Sequence, residues 1–262
     1  MNRHVFACGA AVRTGLVAAL ALAASGTVLA DRKGGGHDDR KSPHCAGLPT
    51  HAQLKQALTA ARQASNGGFN LDMWGAVVNR DGVVCAVAFT GANRGSQWPG
   101  SRIISAQKAY AANAFSLPQL ALSTANLYAP TQPGGSLFGL QHSNPVDPDE
   151  AYDGPASNFG QPNDPMVGQR IGGVNVFGGG LALYNARHVL VGGIGVSGDS
   201  SCADHAIAWR TRSTLLLDFV PAGVHPVLNN DQIIYGTGGF TQVHCVNAAA
   251  EDAVVAGLPP TR

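Results

Sequence analysis

Residues 72–115 constrain this chain most, because they read as a β-hairpin followed by an alanine-rich helix. The segment runs DMWGAVVNRDGVVCAVAFTG, then a short loop, then SRIISAQKAYAANAF. Ala76–Val78 and Val83–Phe89 are rich in β-branched and apolar residues. Between them, Asn79-Arg80-Asp81-Gly82 supplies the Asp-Gly pair whose left-handed backbone a tight hairpin turn needs. Trp98-Pro99-Gly100 breaks the strand pattern. Ser101 is then placed to N-cap a helix by accepting from its first free N–H groups. That helix carries Ile103, Ile104, Ala106, Ala109, Ala111, Ala112 and Phe115 and ends near Pro118. Its alanines permit close packing against a sheet.

Other segments repeat this grammar. Thr50 and Gln53 form a capping box, and Leu54, Ala57, Leu58 and Ala61 follow at helical spacing. That helix ends before Asn66-Gly67-Gly68 and leaves His51 exposed in its first turn. A short helix is predicted over Gln119–Leu127. Regular structure returns with Ile171–Val174, and a second hairpin joins Phe177–Tyr184 to Val189–Gly198 through the Asn185–His188 turn, leaving His188 in solvent. Glycines inside these strands leave room for a ligand or a neighbouring backbone. Asp204 opens a last helix that runs to about Leu217.

Between these elements, residues 129–170 hold seven prolines and no periodic pattern. A structureless run of that length inside a domain is uncommon and often functional. It reads as an ordered surface insertion, a lid or an oligomer contact. Its acids, Asp147, Asp149, Glu150, Asp153 and Asp164, lack EF-hand spacing and read as solvated. The tail, 219–262, is irregular apart from a strand-like Ile233–Tyr235 and is too short for a separate domain, so it is expected to wrap the core.

At 262 residues the chain holds one large domain or two small ones. A net charge of +1 with 13% charged residues argues against nucleic acid as a partner, since that binding rests on clustered Lys and Arg. Residues 1–30 read as a signal peptide. Arg3, His4 and Arg13 precede the apolar run Leu16–Ala24, and Val28-Leu29-Ala30 offers a cleavage site. The run is too short to span a bilayer, and no other run is long enough, so no membrane span is expected in the mature chain. The expected location is periplasmic or secreted. Residues 31–44 read as a flexible linker in which His37, Asp38, Asp39 and His44 could hold a metal only weakly.

Removing the signal removes Cys8 and leaves Cys45, Cys85, Cys202 and Cys245. An even count in an oxidising compartment favours disulfides. Of the three pairings, Cys45–Cys85 with Cys202–Cys245 is preferred. The first would tie the start of the first helix to the hairpin, and the second would pin the tail to the core. With no CxxC pair, a four-thiolate zinc site is disfavoured.

The order helix, hairpin, helix, helix, hairpin, helix, together with VVNRDGVVCAV, SRIISAQKAYAANAF, LSTANLY, FGGGLALY and VGGIGVSG followed by Asp204, resembles the GlcG/HbpS-like family of haem-binding proteins. That family also includes the C-terminal domain of PduO-type proteins. Leaving out the insertion, the resemblance covers most of residues 50–217, and the expected domain is 45–218. It implies an α+β fold similar to a PAS or profilin arrangement. One antiparallel sheet of about five strands would be flanked by helices, interrupted by the 129–170 insertion and followed by the 219–262 extension. It also implies a homo-oligomer and a small-molecule ligand, haem or another tetrapyrrole. The chain departs from the family pattern at Ala111, where the family helix usually has threonine, so a hydroxyl contact to ligand is lost, and in the insertion and the tail, which compact members lack.

No catalytic signature stands out. GVSGD is not a nucleophile elbow, and Gly178-Gly179-Gly180 opens no helix, so it is a poor phosphate loop. Without a CxxCH motif, haem would be held noncovalently. Its iron needs an axial ligand, for which His142, His188, His205, Tyr110 and Met73 are candidates. Of these His142 is retained, on the condition that the insertion folds over a pocket. The ligand-binding set is Ser101, Arg102 and Lys108 with Gly179 and Gly180. Arg102 or Lys108 would meet a propionate or another carboxylate through a charge-assisted hydrogen bond. The ordinary alternative for Lys108 is a solvated or salt-bridged helix position. The expected function is an exported small-ligand binder. The alternatives are an enzyme acting on a small organic acid or in haem breakdown, and an oligomeric interaction module without ligand.

Overall fold

The structure, a computed structural model, describes residues 43–262. The predicted signal peptide and nearly all of the predicted linker, including His37, lie outside the described residues. The elements are α1 (His51–Gln63), β1 (Trp74–Asn79), β2 (Val84–Phe89), α2 (Ser101–Phe115), α3 (Tyr128–Thr131), α4 (Pro148–Ala151), β3 (Gly180–Tyr184), β4 (Leu190–Ser197), α5 (Ser201–Thr214) and α6 (Ala248–Ala256). The fold is α+β. The two hairpins join into a single antiparallel sheet in the order β2-β1-β4-β3. The seam is β1 against β4, in register from Trp74 opposite Ser197 to Asn79 opposite Gly192.

Each strand alternates sides with period two, and both sides are covered. On one side Val77, Ala86, Ala88, Leu181, Leu183, Ile194 and Val196 pack against Leu54 and Leu58 of α1 and Ile207 and Trp209 of α5. On the other, Trp74, Ala76, Val78, Val84, Val87 and Phe89 pack against Ile103, Ala106 and Ala109 of α2, with Ala151, Met166 and Ile171 of the insertion completing the layer.

Local chemistry explains much of this. Thr50 and Gln53 form the reciprocal capping box at the start of α1. Gly82 turns the first hairpin at φ +77°. Both disulfides form in the preferred pairing, Cys45–Cys85 and Cys202–Cys245.

Several expectations are corrected. The sheet has four strands among the described residues, not about five. Ile171–Val174 stays outside it because Gly172 (φ +61°) and Gly173 (φ +79°) both adopt left-handed backbone, which breaks an extended run. No helix forms over Gln119–Leu127. Ala121 donates to Ala222 in the tail, and Ser123 and Asn126 exchange side-chain-to-backbone hydrogen bonds that compete with helix. Ser101 is not the N-cap of α2. Gly100 occupies that position, and the Ser101 hydroxyl accepts from Ser197 Oγ at 3.1 Å. The tail carries α6, started by an Asn247 cap that accepts from Ala250 N–H.

Candidate functional site

The glycines of the second hairpin decide what lies between α2 and the sheet. A Cβ added at Gly195 would fall well inside contact with the Ser105 carbonyl oxygen, at Gly193 with that of Ala109, and at Gly180 with that of Lys108. Of the two uses the sequence left open for these glycines, close approach of a neighbouring backbone is the one realised. The α2 backbone rests directly on β4 and β3.

Lys108 sits in this contact. It is fully buried, and its Nζ donates to Asp204 Oδ2 at 2.7 Å and to the Val196 carbonyl at 3.1 Å. The ammonium lies 4.5 Å from the centre of the Phe177 ring. Gly179, at φ +121°, passes so close that an added Cβ would lie 3.0 Å from Nζ. Asp204 Oδ1 accepts from Asp199 N–H at 2.9 Å. Asp199 in turn accepts from the Phe69 and Leu71 N–H groups, anchoring the loop that enters β1. Burial pushes Lys108 below its usual range, against the pull of Asp204. Burial also pushes Asp204 up to about 6, with Lys108 drawing it back. A lysine this deep among alanines requires a carboxylate partner. The partner is 96 residues away, and α5 brings it there.

Arg102 is buried one helical turn or more from Lys108 on the same helix. It is clamped by Asp164 of the insertion, through Nε at 2.9 Å to Oδ2 and through Nη2 to Oδ1. Its Nη1 donates to Ala151 O at 2.8 Å, and its guanidinium lies 3.7 Å from the Phe159 ring centre. Asp164 also accepts from the Gly160 and Met166 N–H groups. Asp164 is therefore not a solvated loop acid but the anchor of the insertion. His51, expected in solvent, is half-buried and bonds to Gly160 O through Nε2 at 2.8 Å. Of the predicted set, Lys108, Gly179 and Gly180 meet in the interior, whereas Arg102 is turned to the insertion and Ser101 to Ser197, and both cations are committed to partners within the chain.

The histidines separate clearly. His205 is fully buried, and its Nε2 accepts from Ile233 N–H at 3.0 Å. Burial, with Arg212 and Lys108 nearby, pushes its pKa down to about 3, so the ring is neutral. Its lone pair is used, which removes it as an iron ligand in this arrangement. Of the other ligand candidates, Met73 is buried in the core, and Tyr110 packs beside Leu140 and Val174. His188 bonds to Phe219 O, His225 accepts from Val227 and Leu228, and His244 pairs with Asp252. Among the described residues, His44 and His142 are the histidines whose ring nitrogens make no hydrogen bond. His142 is exposed on the insertion, edge-on to the exposed Phe138 at 6.5 Å, with Leu137 beside it in sequence.

The one group of three metal-ligating side chains found among the described residues is Cys202, Cys245 and Glu251, with ligand atoms within 4.8 Å of one another. Both sulfurs are in a disulfide, which cannot ligate as thiolates. Among the described residues no helix is long and apolar enough to cross a membrane.

With this geometry in place, the chain can be set beside known proteins. The family model described as "Haem degrading protein HbpS-like" matches residues 50–212. No curated protein matches. Among solved structures, a PduOC–haem complex is 22% identical, with a TM-score of 0.44, covering 64% of this chain and 94% of that one. The ORFY protein of Klebsiella pneumoniae is 23% identical at a TM-score of 0.42, covering 64% and 90%. HbpS is 18% identical at 0.39, covering 63% and 86%.

Proposed function

The chain belongs to the HbpS-like family, and from that premise we propose that it is an exported binder of a small ligand, haem or another tetrapyrrole held noncovalently. Haem does not fit the interior beside Gly179 and Gly180. Lys108 and Arg102 are already paired there, and α2 lies in backbone contact with the sheet. The outer face of the insertion suits it better. His142 offers a ring nitrogen with no hydrogen bond among the described residues, and Phe138 and Leu137 offer apolar surface to a flat macrocycle. That exposed imidazole on an apolar loop is the observation that carries the reading. Bound haem would supply an iron centre. The chain's part is to ligate it and shield one face, on an insertion fixed to α2 through Asp164 and Arg102. Two disulfides support export to an oxidising compartment.

Titrating the purified protein with hemin tests this. Binding at about micromolar hemin should shift the Soret band, and His142→Ala should remove the shift while leaving the fold intact. An unmoved Soret band in the wild type overturns the ligand, and an identical shift in the variant overturns His142 as its holder. A second reading, an enzyme of haem breakdown or of a small organic acid, is favoured by Asp204 held at about 6 beside Lys108, since perturbed pairs cluster at functional sites. Turnover that survives in a folded Lys108→Met variant would remove it.

A further inference from the structure

The two disulfides sit in different surroundings. Cys45 is buried and Cys85 half-buried against the core, and among the described residues no N–H or O–H group reaches either sulfur. Cys245 is exposed, whereas its partner Cys202 is only 2% exposed. The Cys245 sulfur lies at the first turn of α5, where it accepts from Cys202 N–H at 3.1 Å. Ser201 Oγ lies 3.3 Å from it and Gln242 Nε2 3.5 Å. A sulfur on a surface residue, surrounded by donors and set at a helix N-terminus, is stabilised as a thiolate. The Glu251 carboxylate opposes this. Its charge is partly spent, because it accepts from Cys245 N at 3.0 Å, Val246 N at 2.6 Å and Asn247 N at 3.1 Å. The hydrogen bond between His244 and Asp252 flanks the site on the solvent side.

We propose that Cys202–Cys245 is a thiol–disulfide exchange site, with Cys245 as the exchanging sulfur, Cys202 as the buried resolving one, and an external dithiol as the co-reactant. A thiolate of the dithiol attacks Cys245 Sγ. The Cys202–Cys245 bond breaks, and Cys202 leaves with the electron pair and takes a proton. The second thiol of the reagent then attacks the mixed disulfide and expels Cys245 as a thiolate. The dithiol ends as a disulfide and the chain as a dithiol. The reverse sequence oxidises the partner. The site also reaches the interior, because Gln242, which faces both sulfurs, accepts from Gly178 N–H at 2.7 Å at the entrance to β3.

The test takes the oxidised full-length protein at neutral pH, first alkylates any thiol outside the two bonds, Cys8 included, then adds dithiothreitol, alkylates the freed thiols with a second label and locates them by peptide mass spectrometry. Cys202 and Cys245 should be labelled together, at least about tenfold sooner than Cys45 and Cys85. Labelling in the opposite order, or of all four at one rate, overturns the proposal. In Cys202→Ser, alkylation of Cys245 should reach half its maximal rate below the ordinary thiol value of about 8.5, and Gln242→Leu or Ser201→Ala should move that midpoint upward. A midpoint at or above the ordinary value also overturns it. If Cys202→Ser fails to fold, the labelling order in the wild type decides alone.

Discussion

Replacing Lys108 with methionine should be among the most damaging single changes in the domain. The side chains are similar in volume, so packing is largely kept. What is lost is the ammonium 2.7 Å from Asp204 Oδ2. Asp204 would keep one hydrogen bond, from Asp199 N–H, and would otherwise be a bare carboxylate in the core. Removing one partner of a buried pair costs about 3–5 kcal/mol. For a domain of this size that corresponds to a melting point lower by roughly 6–20 °C. The cost should depend on pH with a definite sign. The folded pKa of Asp204 is about 6 even with Lys108 present, against 3.8 as the reference value, and losing the ammonium raises it further. Between those values the folded state holds a proton that the unfolded state gives up, so stability falls as pH rises through the window. Lys108→Met should therefore be most destabilised at pH 7 and less so at pH 5. Urea unfolding followed by fluorescence of the buried Trp74 and Trp209 would measure this. The double variant Lys108→Met/Asp204→Asn keeps an acceptor for Asp199 N–H and should recover most of the loss. A cost below about 1 kcal/mol at pH 7, the level of an exposed pair, or no recovery in the double variant, would refute the argument.

Gly195→Ala should lower stability by about 1–3 kcal/mol or more, because its Cβ meets the α2 backbone and not a flexible side chain; an unchanged thermal midpoint would mean that α2 does not rest on β4. Asp164→Asn weakens the clamp on the buried Arg102, and if about 3 kcal/mol of anchoring is lost, protease cleavage within 129–170 should rise about a hundredfold with the remaining core protected. Uniform resistance would contradict the anchor role. Cys85→Ser opens a loop of 40 residues and should cost about 4 kcal/mol in chemical denaturation, provided the reference protein is fully oxidised. A loss within error of zero would show that the bond constrains nothing.

Short-range signals carried much of the fold. Thr50 and Gln53 announce α1 because both halves of a capping box lie within one turn, and Asp81-Gly82 announces a hairpin because few residues take left-handed backbone. The disulfide pairing could also be preferred in advance. Side-chain competition was harder to see: Ser123 and Asn126 stop a helix at Gln119–Leu127 that apolar content alone suggests. Gly172 and Gly173 exclude a strand through backbone angles that composition does not specify.

The sequence by itself determined the hairpins, the α1, α2 and α5 helices, the family and the four paired cysteines, since each rests on contacts between neighbours or on a pattern of residue types. Tertiary structure alone decided that the glycines admit a helix backbone, that Lys108 answers to Asp204 and Arg102 to Asp164, and that the His142 ring meets Phe138 with no hydrogen bond among the described residues. The reason is that a buried charge is tolerable only beside its counter-charge, and which one it meets is set by how distant segments pack, a quantity no local window contains.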